Sequence, residues 1–587
     1  MMKTLARLRF LFLALLLIVS FALRFWRISS VPLGLTVDEA NFGYIAHSLA
    51  QTGKDEHGFS YPILFQAFGE GKLPALAYIL FPLARFTGTM NSFLLRSPSA
   101  LFGTISIGLF YWLCRRFNLR VKTSLIMTAL FSFSPAPFYL SRIAFESNIA
   151  LTGFLLGLVG IAGFLTPSTK PKILLRDSLF LALGWSLSWY SYIAYRPVMI
   201  CLLLGLVFYL FISKKLFSSV HKKYSLLASG LMFLLILPSL IFVPLSSNGD
   251  RFRQTSFFYE EGIALQVVEK RDYCIRAGLP SSYCYLSYNK AVSSIAILRE
   301  RFLTTFGLNY QVLEGERTPF IHVMGFGQTY LVVYLLLIPG IIVLYRRLFN
   351  PQQADPSYLI IFGILLMVLP AISSGDPQKV RLSGLLPFIF LLSALGLQLL
   401  LEHRSRAKMI AIRIVLALLF FEALYISWQH YTDFFAYDTT FHDHAHLSFL
   451  PKLNHRLAEL DADHIIFKVS YPDPIMFYAY YNLLDPVIFQ QQEVLGEKEP
   501  SGFQHTVALG DYLQIVDHKL TLFDLACDSD LPADKSIYAV IGDGDDLKDL
   551  RVMLELEGVE FIRSYNGTHI YLAIVDLHQY AAQICQN

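Results

Sequence analysis

Two adjacent carboxylates, Asp38 and Glu39, follow directly on the first long apolar stretch, within "GLTVDEANFGYIAHSLA" (34–50). A carboxylate placed beside a substrate hydroxyl can take its proton as a general base. The pair also has a structural reading. Thr36-x-x-Glu39 fits the S/T-x-x-E capping box, and acids in a first helical turn suit the helix dipole. The cap accounts well for Glu39. It accounts less well for Asp38, because cap geometry asks for no acid there. Phe42, Ile45, Ala46 and Leu49 then recur at helical spacing and predict one apolar face.

Further charged residues sit in short connections between apolar runs. In "FQAFGEGKLPALAYILFPLARF" (65–86), Glu70 and Lys72 flank Gly71, just before a helix expected to start near Pro74. Such a pair is ordinarily a solvated turn, but this one shares a loop with Asp38. In "PFYLSRIAFESNIA" (137–150), Arg142 and Glu146 are spaced i,i+4, the spacing of a helical ion pair in its weaker order. "WYSYIAYRPVM" (189–199) carries Arg196, and "SSGDPQKVRLSGLLPF" (373–388) carries Lys379 and Arg381. Charges abutting apolar spans are costly and face a polar cavity or a partner. One such cation serves equally as an interfacial anchor. Several of them beside acids fit a pocket for an anion such as phosphate.

The elements that must position these residues are membrane spans. Of the 587 residues, 55% are hydrophobic and only 16% charged, where a soluble protein carries about 25% charged. A helix needs roughly 20 apolar residues to cross the hydrocarbon. About eleven runs qualify, near 8–27, 93–114, 122–140, 148–165, 176–191, 197–213, 225–245, 329–345, 357–373, 382–401 and 410–428. The fold class expected is a mainly α, polytopic membrane protein. A net charge of +4 is small for the length and points away from nucleic acid. The basic residues report topology instead: Lys3/Arg7/Arg9, Arg115/Arg116/Arg120/Lys122, Lys170/Lys172/Arg176, Lys214/Lys215/Lys222/Lys223, Arg346/Arg347 and Arg404/Arg406/Lys408/Arg413 fall on alternate connections. The positive-inside rule then places the N-terminus in the cytoplasm and the C-terminus outside. The opening run "MMKTLARLRFLFLALLLIVSFALRFW" has the basic start of a signal peptide, but its apolar part is longer and no small-x-small site follows. It reads as a retained first span.

Three polar segments then lie outside: 29–92, 246–328 and the tail from about 430. The expected division is a membrane catalytic domain over 1–429 and an extracytoplasmic α/β domain over 430–587. In that tail, 463–469, 512–516, 536–542 and 569–575 look like strands, and 545–558 looks like a helix stopped by Gly558. No catalytic constellation stands out there. "GDGDD" (542–546) lacks EF-hand spacing and reads as a turn rather than a Ca²⁺ loop. Asn566-Gly-Thr568 is a glycosylation sequon, informative only in a secretory compartment. Cys274 with Cys284, and Cys527 with Cys585, share outside segments. They are either bridges suited to an oxidising compartment or free thiols, since spacing alone does not fix pairing.

The stretches "VDEANFGYIAHSLAQTGKDEHG", "GEGKLPALAYILFPL", "SRIAFESNIA", "SYIAYRP" and "KVRLSGLLPFIFLLSALG" together resemble the GT-C glycosyltransferases. The nearer resemblance is to the branch holding protein O-mannosyltransferases and the aminoarabinose transferase of lipid A. It covers roughly residues 5–400. It implies a sugar donor carried on a polyprenyl phosphate, held with membrane lipid, and an acceptor hydroxyl on a protein, lipid or glycan. It implies transfer with inversion on the outer face of the plasma or inner membrane. It makes Asp38 the catalytic base and Glu39 its neighbour in substrate binding. Glu70 and Lys72 match the loop acid and lysine near the donor phosphate, although the lipid A branch has these two adjacent and Gly71 separates them here. Arg142, Glu146, Arg196 and Arg381 fall to donor binding. The loop 246–328, with Arg251 and Arg253, is expected to cover the site. No cofactor is required. A divalent metal is compatible with the acids, but no His/Cys cluster demands one. A transporter or lipid flippase is the rival reading. It predicts charges deep within spans and two repeated halves, and neither pattern is present.

Overall fold

A computed structural model describes residues 2–32, 34–165, 170–212, 219–242, 261–316, 325–349, 356–372, 377–402, 406–436, 446–469, 473–498, 504–516, 519–528, 532–542, 545–552, 556–563 and 570–585. The chain forms two compact units, neither contiguous in sequence. One is Met1–Trp26 with Ser97–Thr432. The other is Arg27–Arg96 with Asp433–Asn587.

Apolar runs long enough to be helical become helices because a backbone in hydrocarbon must satisfy its own hydrogen bonds. Each of the eleven expected spans is met by helix. The first seven are α1 (Met2–Phe25), α4 (Ser92–Arg116), α5 with α6 (Val121–Phe133, Pro135–Leu140), α7 (Glu146–Phe164), α8 (Pro171–Ser191), α9 (Tyr195–Ile212) and α10 (Ser219–Phe242). The remainder lie in Leu331–Leu348, Tyr358–Ile372, Leu386–Leu401 and Arg406–Ala436. The third span breaks at Ser134 because Pro135 starts a new helix there. Among the described residues, six helices are long and apolar enough to cross a bilayer.

In the first unit, α7 and α8 approach closely along a row of glycines. A Cβ on Gly153 would meet the Gly184 carbonyl oxygen at 2.5 Å, and one on Gly160 the Asp177 carbonyl at 2.6 Å. Small residues allow this where no hydrophobic effect drives helices together. Beside the seam, Phe154, Trp185, Tyr195 and Phe388 pack as an aromatic core. The segment 246–328, expected outside, holds helices at Glu261–Arg276, Ser281–Ser287 and Lys290–Thr305 among its described residues. Cys274 and Cys284 are bridged. Arg251 and Arg253 lie outside the described residues.

The second unit joins the loop after α1 to the tail. The loop holds α2 (Val37–Thr52), the hairpin β1–β2 (Phe65–Ala67, Glu70–Lys72) and α3 (Ala75–Thr87), which starts after Pro74 as expected. The single apolar face expected of α2 is an underestimate: every residue from Glu39 to Ala50 is buried. The tail explains this, because helix Pro474–Tyr481 lies so close that a Cβ on Gly43 would strike the Tyr480 ring at 2.3 Å. The Tyr44 hydroxyl also donates to the Leu484 carbonyl.

The tail forms a seven-stranded sheet from β3 (His464–Lys468), β4 (Glu493–Leu495), β5 (Thr506–Leu509), β6 (Leu513–Ile515), β7 (Ile537–Gly542), β8 (Val559–Arg563) and β9 (Ile570–Asp576). Their order is β4-β5-β6-β3-β7-β9-β8. β3 runs parallel to β6 and β7, and the other pairings are antiparallel. The four expected strands are β3, β6, β7 and β9. β4, β5 and β8 were not expected: β4 and β5 are only three and four residues long, and β8 carries Glu560 and Arg563 among five residues. The expected helix runs over Asp545–Val552, and Cys527 is bridged to Cys585. Asp543 and Gly544 of the "GDGDD" turn and the Asn566 sequon fall on undescribed residues.

Candidate active site

α2 begins with the cap that its sequence announces. The Glu39 amide donates to the Thr36 hydroxyl, and the Thr36 amide donates to Glu39 Oε2. Glu39 has a second partner that the sequence did not reveal. Arg96 donates from Nε to Glu39 Oε1 at 2.8 Å and from Nη2 to Oε2 at 3.2 Å. Both side chains are 1% exposed. The same guanidinium donates to the carbonyls of Ile28, Pro32 and Gly34. Glu39 is therefore an anchor that ties the start of α2 to the loop before it.

Asp38 is arranged differently. Its side chain is 39% exposed, and its Oδ1 meets the Lys72 ammonium at 2.6 Å. Lys72 is buried. Its ammonium also donates to Asn41 Oδ1 at 3.0 Å and lies 4.9 Å and 4.7 Å from the ring centroids of Phe42 and Phe68. An ammonium has three protons, and the third has no hydrogen-bond partner among the described residues. Phe68 reaches its place through the hairpin turn. Phe68 and Gly69 have φ of 53° and 73°, as a two-residue type I′ turn requires. A bulky residue there costs about 1–3 kcal/mol, offset by the ring contact with the cation. The Glu70 backbone pairs with Ala67 in this hairpin, and its side chain is not among those described.

Behind Lys72 lies a cluster of acids. Asn41 Nδ2 donates to Glu56 Oε1 at 2.9 Å. Glu56 is fully buried, and burial pushes its carboxyl up to about 7. His57 Nδ1 meets Glu493 Oε2 of the tail at 2.7 Å. Burial alone would lower His57, but the Glu493 carboxylate, then Glu56 and Asp55, hold it up at about 9. Burial also raises Asp55. A cavity of ≈40 Å³ opens among Asn41, Glu56, His57, Gln66, Phe68 and the tail residues Met476, Gln504 and Thr506. The tail, which showed no constellation of its own, thus completes the loop's. The run "KDEHG" (54–58) was the available signal, with four consecutive titratable residues before a glycine.

The other expected residues belong to the first unit. Arg142 is fully buried and lies in the turn between α6 and α7, so it and Glu146 do not share a helix as their spacing suggested. Its terminal nitrogens donate to the carbonyls of Leu23, Arg24 and Trp26, the end of α1 where a cation suits the dipole. That geometry makes Arg142 a cap on α1 rather than an open phosphate ligand. Glu146 opens α7 in its first turn. Arg196 donates to the Trp189 carbonyl and stacks over the Trp189 ring at 4.9 Å. Arg381 is half-buried in the short helix Lys379–Leu382. Its neighbour Lys379 is buried 4.6 Å from the Tyr139 ring, with its backbone amide on Glu316. Among the described residues, no group of three or more His, Cys, Asp or Glu side chains could hold a metal ion.

Residues 14–246 match the family "Dolichyl-phosphate-mannose-protein mannosyltransferase". The expected GT-C membership is borne out over that segment. No curated protein matches the sequence. Among solved structures, ArnT from Cupriavidus metallidurans bound to undecaprenyl phosphate is similar, at 11% identity and a TM-score of 0.49, over 96% of this chain and 97% of that one. The archaeal oligosaccharyltransferase AglB from Archaeoglobus fulgidus, with an inhibitory peptide and a dolichol-phosphate, is similar at 14% identity and a TM-score of 0.47, over 81% and 63%. The S. cerevisiae protein O-mannosyltransferase Pmt1–Pmt2 complex, bound to its sugar donor, is similar at 15% identity and a TM-score of 0.30, over 39% and 32%. These structural likenesses are too slight to carry an argument.

Proposed function

We propose, on the premise that this multi-pass membrane chain is a GT-C glycosyltransferase by its residues 14–246, that it moves a sugar from a polyprenyl-phosphate donor to an acceptor hydroxyl. The reaction belongs on the extracytoplasmic face, the side to which the basic connections assign Asp38 and the tail. The membrane part, 1–429, takes the lipid of the donor, and 430–587 is the outer domain. The observation that carries the reading is the Asp38–Lys72 pair, at 2.6 Å. It sets a half-exposed carboxylate beside a buried ammonium whose third proton has no hydrogen-bond partner among the described residues.

Asp38 takes the proton from the acceptor hydroxyl as that oxygen attacks the anomeric carbon. The bond between that carbon and the phosphate oxygen breaks in the same displacement, and the configuration inverts. Charge gathers on the departing polyprenyl phosphate, and the Lys72 ammonium stabilises it there. Glu39, locked by Arg96, holds the first turn of α2 so that its neighbour's direction is fixed. Arg196 and Arg381 remain the donor-binding candidates of the first unit. Membranes carrying the protein, supplied with a polyprenyl-phosphate sugar, should transfer label to a hydroxyl acceptor. Asp38→Asn should lose about 10²–10⁴-fold in kcat, and Lys72→Ala should lose about 10²–10³-fold. Full activity in a folded Asp38→Asn protein would remove the base assignment. Movement of label into sealed vesicles without transfer would favour a transporter.

A further inference from the structure

Glu56 is more expensive than its hydrogen bond requires. It is fully buried; its Oε1 accepts from the Asn41 amide and lies 3.9 Å from His57 Nε2. Among the described residues Oε2 is buried without a hydrogen-bond partner, and the residue edges the ≈40 Å³ cavity, room for about two water molecules. A buried carboxylate is costly unless paired. A glutamine at this position would accept the same Asn41 bond at lower cost, so the bond alone does not explain a carboxylate, and His57, 3.9 Å away and beyond hydrogen-bond reach, is already paired with the nearer Glu493.

The direction of Asn41 supplies a reason. Lys72 offers only donors, so the Asn41 oxygen must face Lys72, and its NH₂ group must then face Glu56. The result is one chain: Asp38, Lys72, Asn41, Glu56, with contacts of 2.6, 3.0 and 2.9 Å. A charged acceptor shortens and strengthens the bond it receives, and linked hydrogen bonds polarise one another. We propose that Glu56 is a positioning residue for the reaction described above, acting through Asn41 to hold the Lys72 ammonium against Asp38 where the leaving phosphate needs it. The proposal rests on the glycosyltransferase reading.

The groups around Glu56 sharpen the expectation. They are Asp55 and His57 in its own loop, Tyr44 and Asn41 on α2, Lys72 on β2, Met476 on the helix Pro474–Tyr481, and Glu493 and Thr506 on β4 and β5. His57 is held near 9 and keeps its charge through neutrality. Glu56, near 7, is the member that changes charge there, and only its ionised form makes the strong bond to Asn41.

The test is the pH profile of transfer by the full chain in membranes, from about pH 5.5 to 8.5. Four variants are compared with the wild type: Glu56→Gln, Glu56→Asp, Asn41→Leu and the double variant Glu56→Gln/Asn41→Leu. Wild-type kcat should rise with pH through about 7. Glu56→Gln should flatten that rise and lower kcat at pH 8 about tenfold, with the donor KM within about twofold. Glu56→Asp, which keeps the carboxylate, should restore the rise. Asn41→Leu should lose a similar factor, and the double variant should be no worse than Asn41→Leu alone. A Glu56→Gln protein with the wild-type profile and kcat overturns the proposal, as does a double variant whose losses multiply. If Glu56→Gln fails to fold, Glu56→Asp and Asn41→Leu decide: an unchanged rise in Asn41→Leu overturns it. Wild-type protein inactive with every lipid-phosphate donor would overturn the glycosyltransferase reading itself, a different outcome from an active wild type whose pH profile ignores Glu56.

Discussion

At the scale of residues, two neighbouring acids have separate work. Glu39 is a structural anion, held by a cap and by a guanidinium that is itself 1% exposed. Removing one partner of such a buried pair strands the other charge, at a cost of roughly 3–5 kcal/mol. Arg96→Ala should therefore lower the unfolding temperature sharply. Asp38→Asn takes the counter-charge from the buried Lys72 and should also lower stability, though less than Arg96→Ala because Asp38 is itself part-exposed, while lowering transfer about 10²–10⁴-fold. Thermal unfolding of the two variants, read beside activity, checks this. An Arg96→Ala protein as stable as wild type would mean that the pair does not anchor α2. The cap was legible because its partners lie three residues apart. Arg96 was not, because it stands 57 residues from Glu39 and no local spacing links them. Lys72 was legible as a candidate, but not its grip on Asp38. That contact needs a hairpin whose turn residue, Phe68, is one that turn chemistry would not select.

At the scale of elements, apolar length and basic flanks sufficed to find the spans, since each of the eleven runs is helical. What they left open is how the helices meet. The α7–α8 seam is a case with a sharp consequence. A methyl group on Gly153 would press on backbone atoms of α8, at 2.5 and 2.8 Å, rather than on a side-chain tip that can swing away. Gly153→Ala should cost about 1–3 kcal/mol by overpacking. Gly205→Ala on α9 meets nothing within 4 Å and should be neutral or gain up to about 1 kcal/mol of helix propensity. Unfolding in detergent compares the two directly, and equal stabilities would show that the seam tolerates separation. In the tail, the central strands β3, β6, β7 and β9, rich in β-branched and aromatic residues, were readable. β4 and β5 were not, although it is β4 that carries Glu493 to His57.

At the scale of the whole molecule, the feature least visible in the sequence is that residues 27–96 and 433–587 share one unit. Periodicity reports what a segment buries, never which distant segment covers it. The His57–Glu493 contact joins the two ends of that unit, and its titration gives a reading of their union. His57 has a folded-state value near 9 against 6.5 for a free imidazole, so the folded form binds the extra proton. Its contribution, on the order of 3 kcal/mol, is fully present below about pH 6.5 and is lost as pH rises through about 9. Glu56, raised from 4.5 to about 7, acts with the same sign at lower pH: the folded form again holds the proton longer, and stability falls between about 4.5 and 7. The unfolding temperature of the wild-type protein should thus decline from pH 6.5 to 9.5. In His57→Gln the part of that decline above pH 7 should flatten, while the earlier part remains. A His57→Gln protein that loses stability above pH 7 as steeply as wild type would show that the ion pair does not hold the loop to the tail.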